Sequence, residues 1–215
     1  AKLISGNDYI NPSLELIIDD TIEINQKQKL SDYIYKWLQV KINTVLKSLI
    51  DLKNLKENNP SIKALAYQLY ENNGVLKREQ VSEYLRSLGQ IERKILRDLG
   101  VKFGRYHIFL YQLIKPEAVS LRTLLWKNFH QKYYDLKPPT FGLNFLDVKV
   151  SKSKNYMLLC GFEKFDTFFV RIDILERLFV LLINSSSSKE NNEIKMTPEM
   201  LNLLGCSKEN FKKLL

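Results

Sequence analysis

The chain has 215 residues, of which 45% are hydrophobic and 27% are charged. This composition excludes a disordered chain, and the length suits one medium-sized domain or two small ones that share a core. No apolar run reaches the ~18 residues of a membrane-spanning helix, so we expect no membrane association. Only two cysteines are present, which excludes a disulfide scaffold and favours a reducing, cytoplasmic setting.

Both ends of the sequence suggest a portion of a longer protein. The chain begins at Ala1 without an initiator Met, and it lacks the charged and apolar regions of a signal peptide. Its last residues look like the middle of a helix. We therefore expect further sequence outside these residues.

The first 29 residues combine turn signals with short alternating segments. Leu14–Ile18 and Thr21–Ile24 have the apolar alternation that is typical of strands. We predict a small β element over residues 1–29.

From residue 30 the apolar spacing changes to the 3.6-residue period of helices. The first predicted helix covers 30–57 and should bury Trp37 and Leu38. Short links separate it from three further predicted helices, which is typical of an antiparallel bundle. These three helices cover about 61–72, 77–88 and 90–99.

Residues 100–110 alternate and contain two glycines, which favours extended backbone over helix. Pro116 occupies the first position of another predicted helix, which runs to about residue 129. Pro138 and Pro139 mark the predicted boundary between a helical bundle over 30–137 and a last unit over 138–215.

The last unit is predicted to contain a β-hairpin, a helix and a pair of short helices. Strands are expected over 156–162 and 167–172, with a helix over 175–183. Over 197–215, two short helices across a glycine turn resemble a helix-turn-helix. The predicted fold class is therefore mainly α: a helical bundle with small β elements and a C-terminal helix-turn-helix-like pair.

Positive charge is concentrated in one part of the chain. The formal net charge is +9, and residues 76–137 alone carry +7. Six of the eight arginines lie between 78 and 122, and eight of the 24 Phe, Trp and Tyr residues lie between 101 and 134. Cations beside rings are typical of nucleic-acid surfaces, because they neutralise phosphates and stack on bases. The alternative is a solvated helix face over an aromatic core in a lysine-rich chain.

Within this basic stretch, the residues after Gly100 are the strongest candidates for nucleic-acid contact. If Phe103 and His107 face inward by strand alternation, then Lys102, Arg105 and Tyr106 face outward. The two cations would contact phosphates, and the tyrosine would stack on a base. The complete set of predicted nucleic-acid-binding residues is Arg97, Lys102, Arg105, Tyr106, Lys115 and Arg122.

Motifs for catalysis or metal binding do not stand out. Neither a phosphate loop, G-x-x-x-x-G-K-[ST], nor a dinucleotide motif, G-x-G-x-x-G, occurs. The potential zinc ligands are not paired at ligand spacing, and the carboxylates form no evident acid–base pair. We therefore predict a non-catalytic chain without a metal or cofactor of its own. The potential zinc ligands are His107, His130, Cys160 and Cys206.

Four segments resemble one known family. The segment GVKFGRYHIFLYQLIKPEA (100–118) carries most of this similarity, supported by VRIDILERL (170–178), TPEMLNLLGCSKENFKKLL (197–215) and PSLELIIDD (12–20). Taken in chain order, the four segments are similar to successive segments of the C-terminal region of bacterial superfamily-two DEAD/DEAH-box helicases. These helicases are relatives of the mitochondrial degradosome RNA helicase. The resemblance covers essentially the whole chain.

The resemblance implies an accessory region that follows two ATP-driven motor domains and contacts single-stranded RNA or DNA. ATP and Mg²⁺ would bind only to the motor, which would be a partner in cis outside these residues. One alternative is a protein-interaction module that docks onto the motor or onto a partner protein. Another is a free-standing DNA-binding helix-turn-helix over 197–215, although its second helix offers only Lys208, Lys212 and Lys213 for base recognition.

Overall fold

A computed structural model describes residues 1–18, 22–131, 135–147, 153–165, 168–186 and 196–214. Across these ranges the fold is mainly α-helical with small antiparallel sheets, which confirms the predicted fold class. No helix within them is both long enough and apolar enough to cross a membrane.

The chain begins with a small antiparallel ladder, as predicted for residues 1–29. Strand β1 (Lys2–Ile4) pairs with β2 (Ser13–Glu15), with Leu3 opposite Leu14. The strand predicted at the end of this region is wrong where it can be assessed, because Ile24 begins a helix. Residues 19–21 lie outside the described ranges.

The helix predicted over 30–57 is two helices, α1 (Ile24–Val45) and α2 (Lys47–Lys53). They meet at Leu46, which is fully buried. Just before this junction, the Thr44 hydroxyl donates a hydrogen bond to the Val40 carbonyl at 2.8 Å. Such side-chain-to-backbone bonds tend to bend helices, and this one immediately precedes the break.

Of the two residues of α1 that were predicted to be buried, only Leu38 is. Leu38 is 7% exposed and packs in the core with Ile42, as expected. Trp37 is 59% exposed, so the prediction of its burial is wrong. Adjacent helical residues point about 100° apart, so the helix that buries Leu38 turns Trp37 outward.

The helix predicted over about 77–88 begins later than expected, and a short strand precedes it. After α3 (Pro60–Glu71), residues Val75–Lys77 form β3, and a single 3₁₀ turn leads into α4 (Ser82–Ser87). The extended backbone is held by pairing with a strand more than 30 residues later in the chain. The predicted helix over 90–99 is α5 (Gln90–Asp98).

A three-stranded antiparallel sheet lies at the centre of the bundle, in the order β3-β5-β4. Strands β4 (Val101–Phe103) and β5 (His107–Leu110) form a hairpin, which confirms the extended backbone predicted for 100–110. A 3₁₀ turn and α6 (Pro116–Phe129) follow, and Pro116 has the predicted first position.

A second three-stranded sheet, in the order β6-β8-β7, follows α6. Its strands are β6 (Phe145–Asp147), β7 (Phe162–Phe165) and β8 (Phe168–Arg171). Helix α7 (Lys154–Leu159) lies between β6 and β7 in the chain. The strand predicted over 156–162 is wrong up to residue 161, because 156–159 belong to α7 and 160–161 form a turn. Ser153 caps α7 by accepting a hydrogen bond from the Tyr156 amide. Cys160 is therefore buried at a helix end rather than in a strand.

The described chain ends with α8 (Ile172–Ser186), α9 (Pro198–Leu204) and α10 (Lys208–Leu214). The last two confirm the predicted helix-turn-helix-like pair, with Thr197 as N-cap and Gly205 at a φ of 68° in the turn. Phe211 is fully buried in a cluster that the pair forms with α8.

Hydrophobic packing continues across the boundary predicted at Pro138 and Pro139. Trp126 of α6 packs in one cluster with Tyr156 of α7. Another small cluster joins Phe109 of β5 to Ile172 at the start of α8. These contacts hold α7 against α6, and the start of α8 against the β4–β5 hairpin.

Candidate nucleic-acid interface

The turn between β4 and β5 is the centre of the candidate site. Gly104 donates its backbone amide to the His107 carbonyl at 2.8 Å, which closes the hairpin. A Cβ on Gly104 would lie 2.7 Å from that carbonyl oxygen and 2.5 Å from the Glu176 side chain. Only glycine allows this approach, so Gly104 determines how closely the turn fits against α8.

Glu176 of α8 binds the backbone of this turn. Its carboxylate accepts hydrogen bonds from the amides of Arg105, Tyr106 and His107, the last at 2.8 Å. From the other side, Arg78 donates its guanidinium to the Gly104 carbonyl at 2.9 Å. The turn is thus held at a fixed position, with the Arg105 and Tyr106 side chains exposed.

His107 lies between two carboxylates beneath the turn. Its Nδ1 is 3.0 Å from Glu176 Oε1, and its Nε2 is 3.4 Å from Glu163 Oε2. Glu163 in turn lies 3.3 Å from the Lys77 amine. His107 and Glu163 are both buried, so the elements β3, β5, β7 and α8 meet at this ionic cluster.

The protonation equilibria of the cluster favour its ionised form. Burial opposes the charge of His107, but the neighbouring carboxylates of Glu163 and Glu176 outweigh burial and raise the pKa of His107. Burial also opposes the two carboxylate charges. His107 and Lys77 nevertheless hold the pKa of the Glu163 carboxyl below its usual value. His107 and the turn amides do the same for the Glu176 carboxyl.

These shifts predict a stability maximum at mildly acidic pH. The His107 contribution is complete below its unfolded pKa of 6.5 and is lost as pH rises through the raised folded value. The contributions of Glu163 and Glu176 to stability are complete above pH 4.5, their unfolded pKa, and are lost as pH falls through their lowered folded pKa values. Urea unfolding should therefore give the highest free energy of unfolding between these limits. His107→Gln should flatten the decline above pH 6.5; equal slopes for variant and parent there would contradict the assignment.

An open cleft of about 860 Å³ lies beside the turn, and we call it the Tyr106 cleft. Four cations line it, against two carboxylates, Glu79 and Glu163. Its lining therefore has a formal charge of +2 even with His107 neutral. The cations are Lys77, Arg78, Arg105 and Lys164.

The Tyr106 cleft also offers exposed aromatic surface. The Tyr106 ring is 48% exposed and lies against the Phe179 ring of α8, with 4.0 Å between centroids and 44° between planes. Because Phe179 supports one side of this ring, the exposed part of Tyr106 has a fixed orientation. Such a ring can stack on an unpaired base without first losing side-chain freedom.

A second cleft, of about 720 Å³, lies on the other side of the turn. Arg105 and Arg177 line it, but Glu176 and Glu199 balance their charge. Phe103 also lines it. This cleft is therefore less suited to a polyanion than the Tyr106 cleft.

The predicted contact residues divide into those at the turn and those elsewhere. Arg105 and Tyr106 line the Tyr106 cleft, and Arg97 lies over the Phe103 ring at 5.7 Å beside the second cleft. Lys102 is exposed on β4, as expected from the inward position of His107 and the partial burial of Phe103.

Lys115 is exposed but lies in a different cleft, of about 500 Å³, against α1 and α2. That cleft is lined by three lysines and three acidic residues, and two of these pairs form salt bridges. It is therefore neutral. The structure does not bring Lys115 together with the turn residues.

The prediction for Arg122 is wrong. This side chain is 0% exposed, and its guanidinium donates to the carbonyl oxygens of Asn73, Leu113 and Leu159 at 2.7–2.8 Å. Three carbonyls from separate segments replace water around the charge. A phosphate could reach Arg122 only if the core opened.

Sequence reasoning missed several residues of the Tyr106 cleft. Lys77 and Arg78 were assigned to a helix, and Lys164 to the turn of a hairpin, so none was connected with residue 105. Glu163 and Glu176 meet His107 from positions 56 and 69 residues later, which no local pattern reveals. The one local signal was Gly104, whose missing side chain makes room for Glu176.

No group of three His, Cys, Asp or Glu side chains in the described ranges is arranged to hold a metal ion. Cys160 and Cys206 are both free thiols. Comparisons of the chain with family models, with curated proteins and with solved structures returned no significant match.

Proposed function

We propose that this chain is a non-catalytic accessory region of a cytoplasmic, ATP-dependent helicase and contacts single-stranded RNA or DNA. The helicase assignment rests on the resemblance of residues 100–118, 170–178 and 197–215 to that family. ATP and Mg²⁺ then belong to motor domains outside these residues. The nucleic-acid contact rests on the chain's own geometry.

The Tyr106 cleft is the observation that carries the proposal. It combines a net positive lining with an oriented, half-exposed ring, as a single-strand site requires. The cations neutralise the backbone, and Tyr106 stacks on one base. A duplex keeps its base faces stacked internally, so only a single strand can use this ring.

Fluorescence anisotropy with labelled oligonucleotides tests the proposal directly. Single-stranded RNA and DNA of equal length, and a duplex of the same sequence, are titrated with the chain at several salt concentrations. We expect single strands to bind more tightly than the duplex, with affinity falling linearly on a log–log salt plot. The absence of single-strand binding at low salt would refute the nucleic-acid part of the proposal.

The double variant Arg105→Ala with Lys164→Ala should weaken single-strand binding without unfolding the protein. Each lost phosphate contact flattens the log–log salt slope by ~0.7, so the expected change is about 1.4. The matched control, Lys2→Ala with Lys63→Ala, removes the same charge from exposed positions outside the cleft. Equal slopes for both double variants would mean that the chain binds through diffuse charge.

Tyr106→Ala should weaken binding through loss of stacking rather than loss of charge. The expected cost is about 1–3 kcal/mol, or roughly 5- to 150-fold in Kd, with an unchanged salt slope. Tyr106→Phe keeps the ring and should bind like the parent. If the Phe variant is as weak as the Ala variant, the phenol group rather than stacking makes the contact.

A further inference from the structure

Helix α1 carries an apolar stripe that the fold leaves uncovered. Leu30, Tyr33, Trp37 and Val40 are 42%, 72%, 59% and 58% exposed. Their spacing of three, four and three residues places them on one side of the helix. We call these four residues the α1 stripe.

The α1 stripe is separate from the face that anchors α1 to the protein. Leu38 and Ile42 are buried, and α1 packs against α2, α6 and β2. The centre of the stripe lies about 140° around the helix from Leu38 and Ile42. An exposed stripe with Trp and Tyr at its centre has the composition of a binding hot spot.

Three-four spacing also indicates the shape of the occupant. It is the pattern by which one helix packs along another, with each side chain inserted between side chains of the partner. Leu30 and Val40 are about 15 Å apart along the axis, which is close to three helical turns. Aliphatic residues at both ends of the stripe suit side-chain packing better than base stacking.

The charge beside the α1 stripe selects among helical partners. Lys29 and Lys36 lie along one edge of the stripe and are exposed, and neither forms an ion pair with any residue that the structure describes. Lys41 lies along the other edge and is paired with Glu117. A second copy of α1 would bring like charges together, which is unfavourable. An acidic helix would place carboxylates opposite the lysines.

We propose that the α1 stripe is a docking site for an acidic amphipathic helix of a partner protein. Apolar residues of that helix cover Tyr33 and Trp37, while its Glu or Asp residues pair with Lys29 and Lys36. The α1 stripe shares no residue with the lining of the Tyr106 cleft.

Two designed peptides of about 21 residues test the proposal with the whole chain. Both have Leu and Ile at the a and d positions of three heptads; one has Glu at e and g, and the other has Lys. The chain has two tryptophans, and Trp126 is 8% exposed, so acrylamide quenching reports mainly on Trp37. We expect the acidic peptide to bind and to protect Trp37, and the basic peptide to do neither.

Variants of the chain make the test specific. Trp37→Ala should weaken binding of the acidic peptide at least tenfold by anisotropy, whereas Tyr67→Ala, at an exposed tyrosine of α3, should not. Lys29→Glu with Lys36→Glu should reverse the preference toward the basic peptide. These positions are exposed, so circular dichroism should show an unchanged fold in each variant.

Other occupants give distinct results that would overturn the proposal. Protection of Trp37 by phosphatidylserine vesicles, but not by the acidic peptide, would assign the stripe to a membrane surface. Protection by single-stranded RNA would assign it to nucleic acid. Dimers in sedimentation velocity that Trp37→Ala dissociates would assign it to a second copy. Equal binding of both peptides, or of neither, would also refute it.

Discussion

Arg122→Ala is expected to lower the free energy of unfolding by about 3–5 kcal/mol, as measured by urea denaturation. The Arg122 guanidinium is the hydrogen-bond donor to three carbonyls, those of Asn73, Leu113 and Leu159. Alanine leaves these acceptors without that donor and creates a cavity in the core. Arg122 thus connects α6 to the backbone at Asn73, Leu113 and Leu159, and its loss should weaken the packing of all three segments against α6.

Two further variants separate this structural role from a simple effect of charge. Arg122→Lys keeps the charge, but a single ammonium on a flexible stem does not reproduce the planar fork, so it should restore only part of the stability. Arg97→Ala removes an exposed arginine and should change stability by no more than about 0.5 kcal/mol. Full rescue by lysine, or an Arg122→Ala effect as small as that of Arg97→Ala, would contradict the hydrogen-bond argument.

Glu176→Ala should be nearly as disruptive, at about 3 kcal/mol, and its effect should be concentrated at the β4–β5 turn. Glu176 accepts hydrogen bonds from three consecutive turn amides and lies beside His107, which is buried. Without Glu176 the turn loses its hydrogen bonds to α8, and His107 loses one of its two neighbouring carboxylates. Hydrogen exchange at the amides of Arg105, Tyr106 and His107 should become faster than at the rest of the sheet.

A neighbouring carboxylate provides the control for this prediction. Glu199 lines the second cleft with Glu176 but is exposed. Glu199→Ala should leave both stability and amide exchange close to those of the parent. If Glu176→Ala behaves in the same way, the turn holds its shape without the Glu176 carboxylate, and the hydrogen bonds to the turn amides do not determine its stability.

Several features of the fold were predictable because their causes are local. Thr197, Pro198 and Gly205 mark the limits of α9 by capping, a fixed φ and a left-handed turn. On the assumption that His107 faces inward, Lys102 was placed on the exposed side of β4, and the structure shows His107 buried and Lys102 exposed. Each of these inferences depends on residues within one element.

Other features depend on contacts between distant parts of the chain. Residues 75–77 form a strand by pairing with β5, which lies at least 30 residues later in the chain, so their own sequence did not reveal it. Trp37 and Leu38 are both apolar, and only the packing of α1 against α2 and α6 decides which of them is buried. Local periodicity identifies a helix more reliably than the side that it turns inward.

The candidate site divides in the same way between sequence and tertiary structure. The sequence by itself determined that Arg105 and Tyr106 lie beside a glycine turn, since glycine's conformational freedom is a local property, and both side chains are exposed there. Only the tertiary structure decided that Arg122 lies in the core, and that Glu163 and Glu176 reach His107. A buried charge needs partners, and here those partners come from segments many residues away, so no pattern along the chain could identify them.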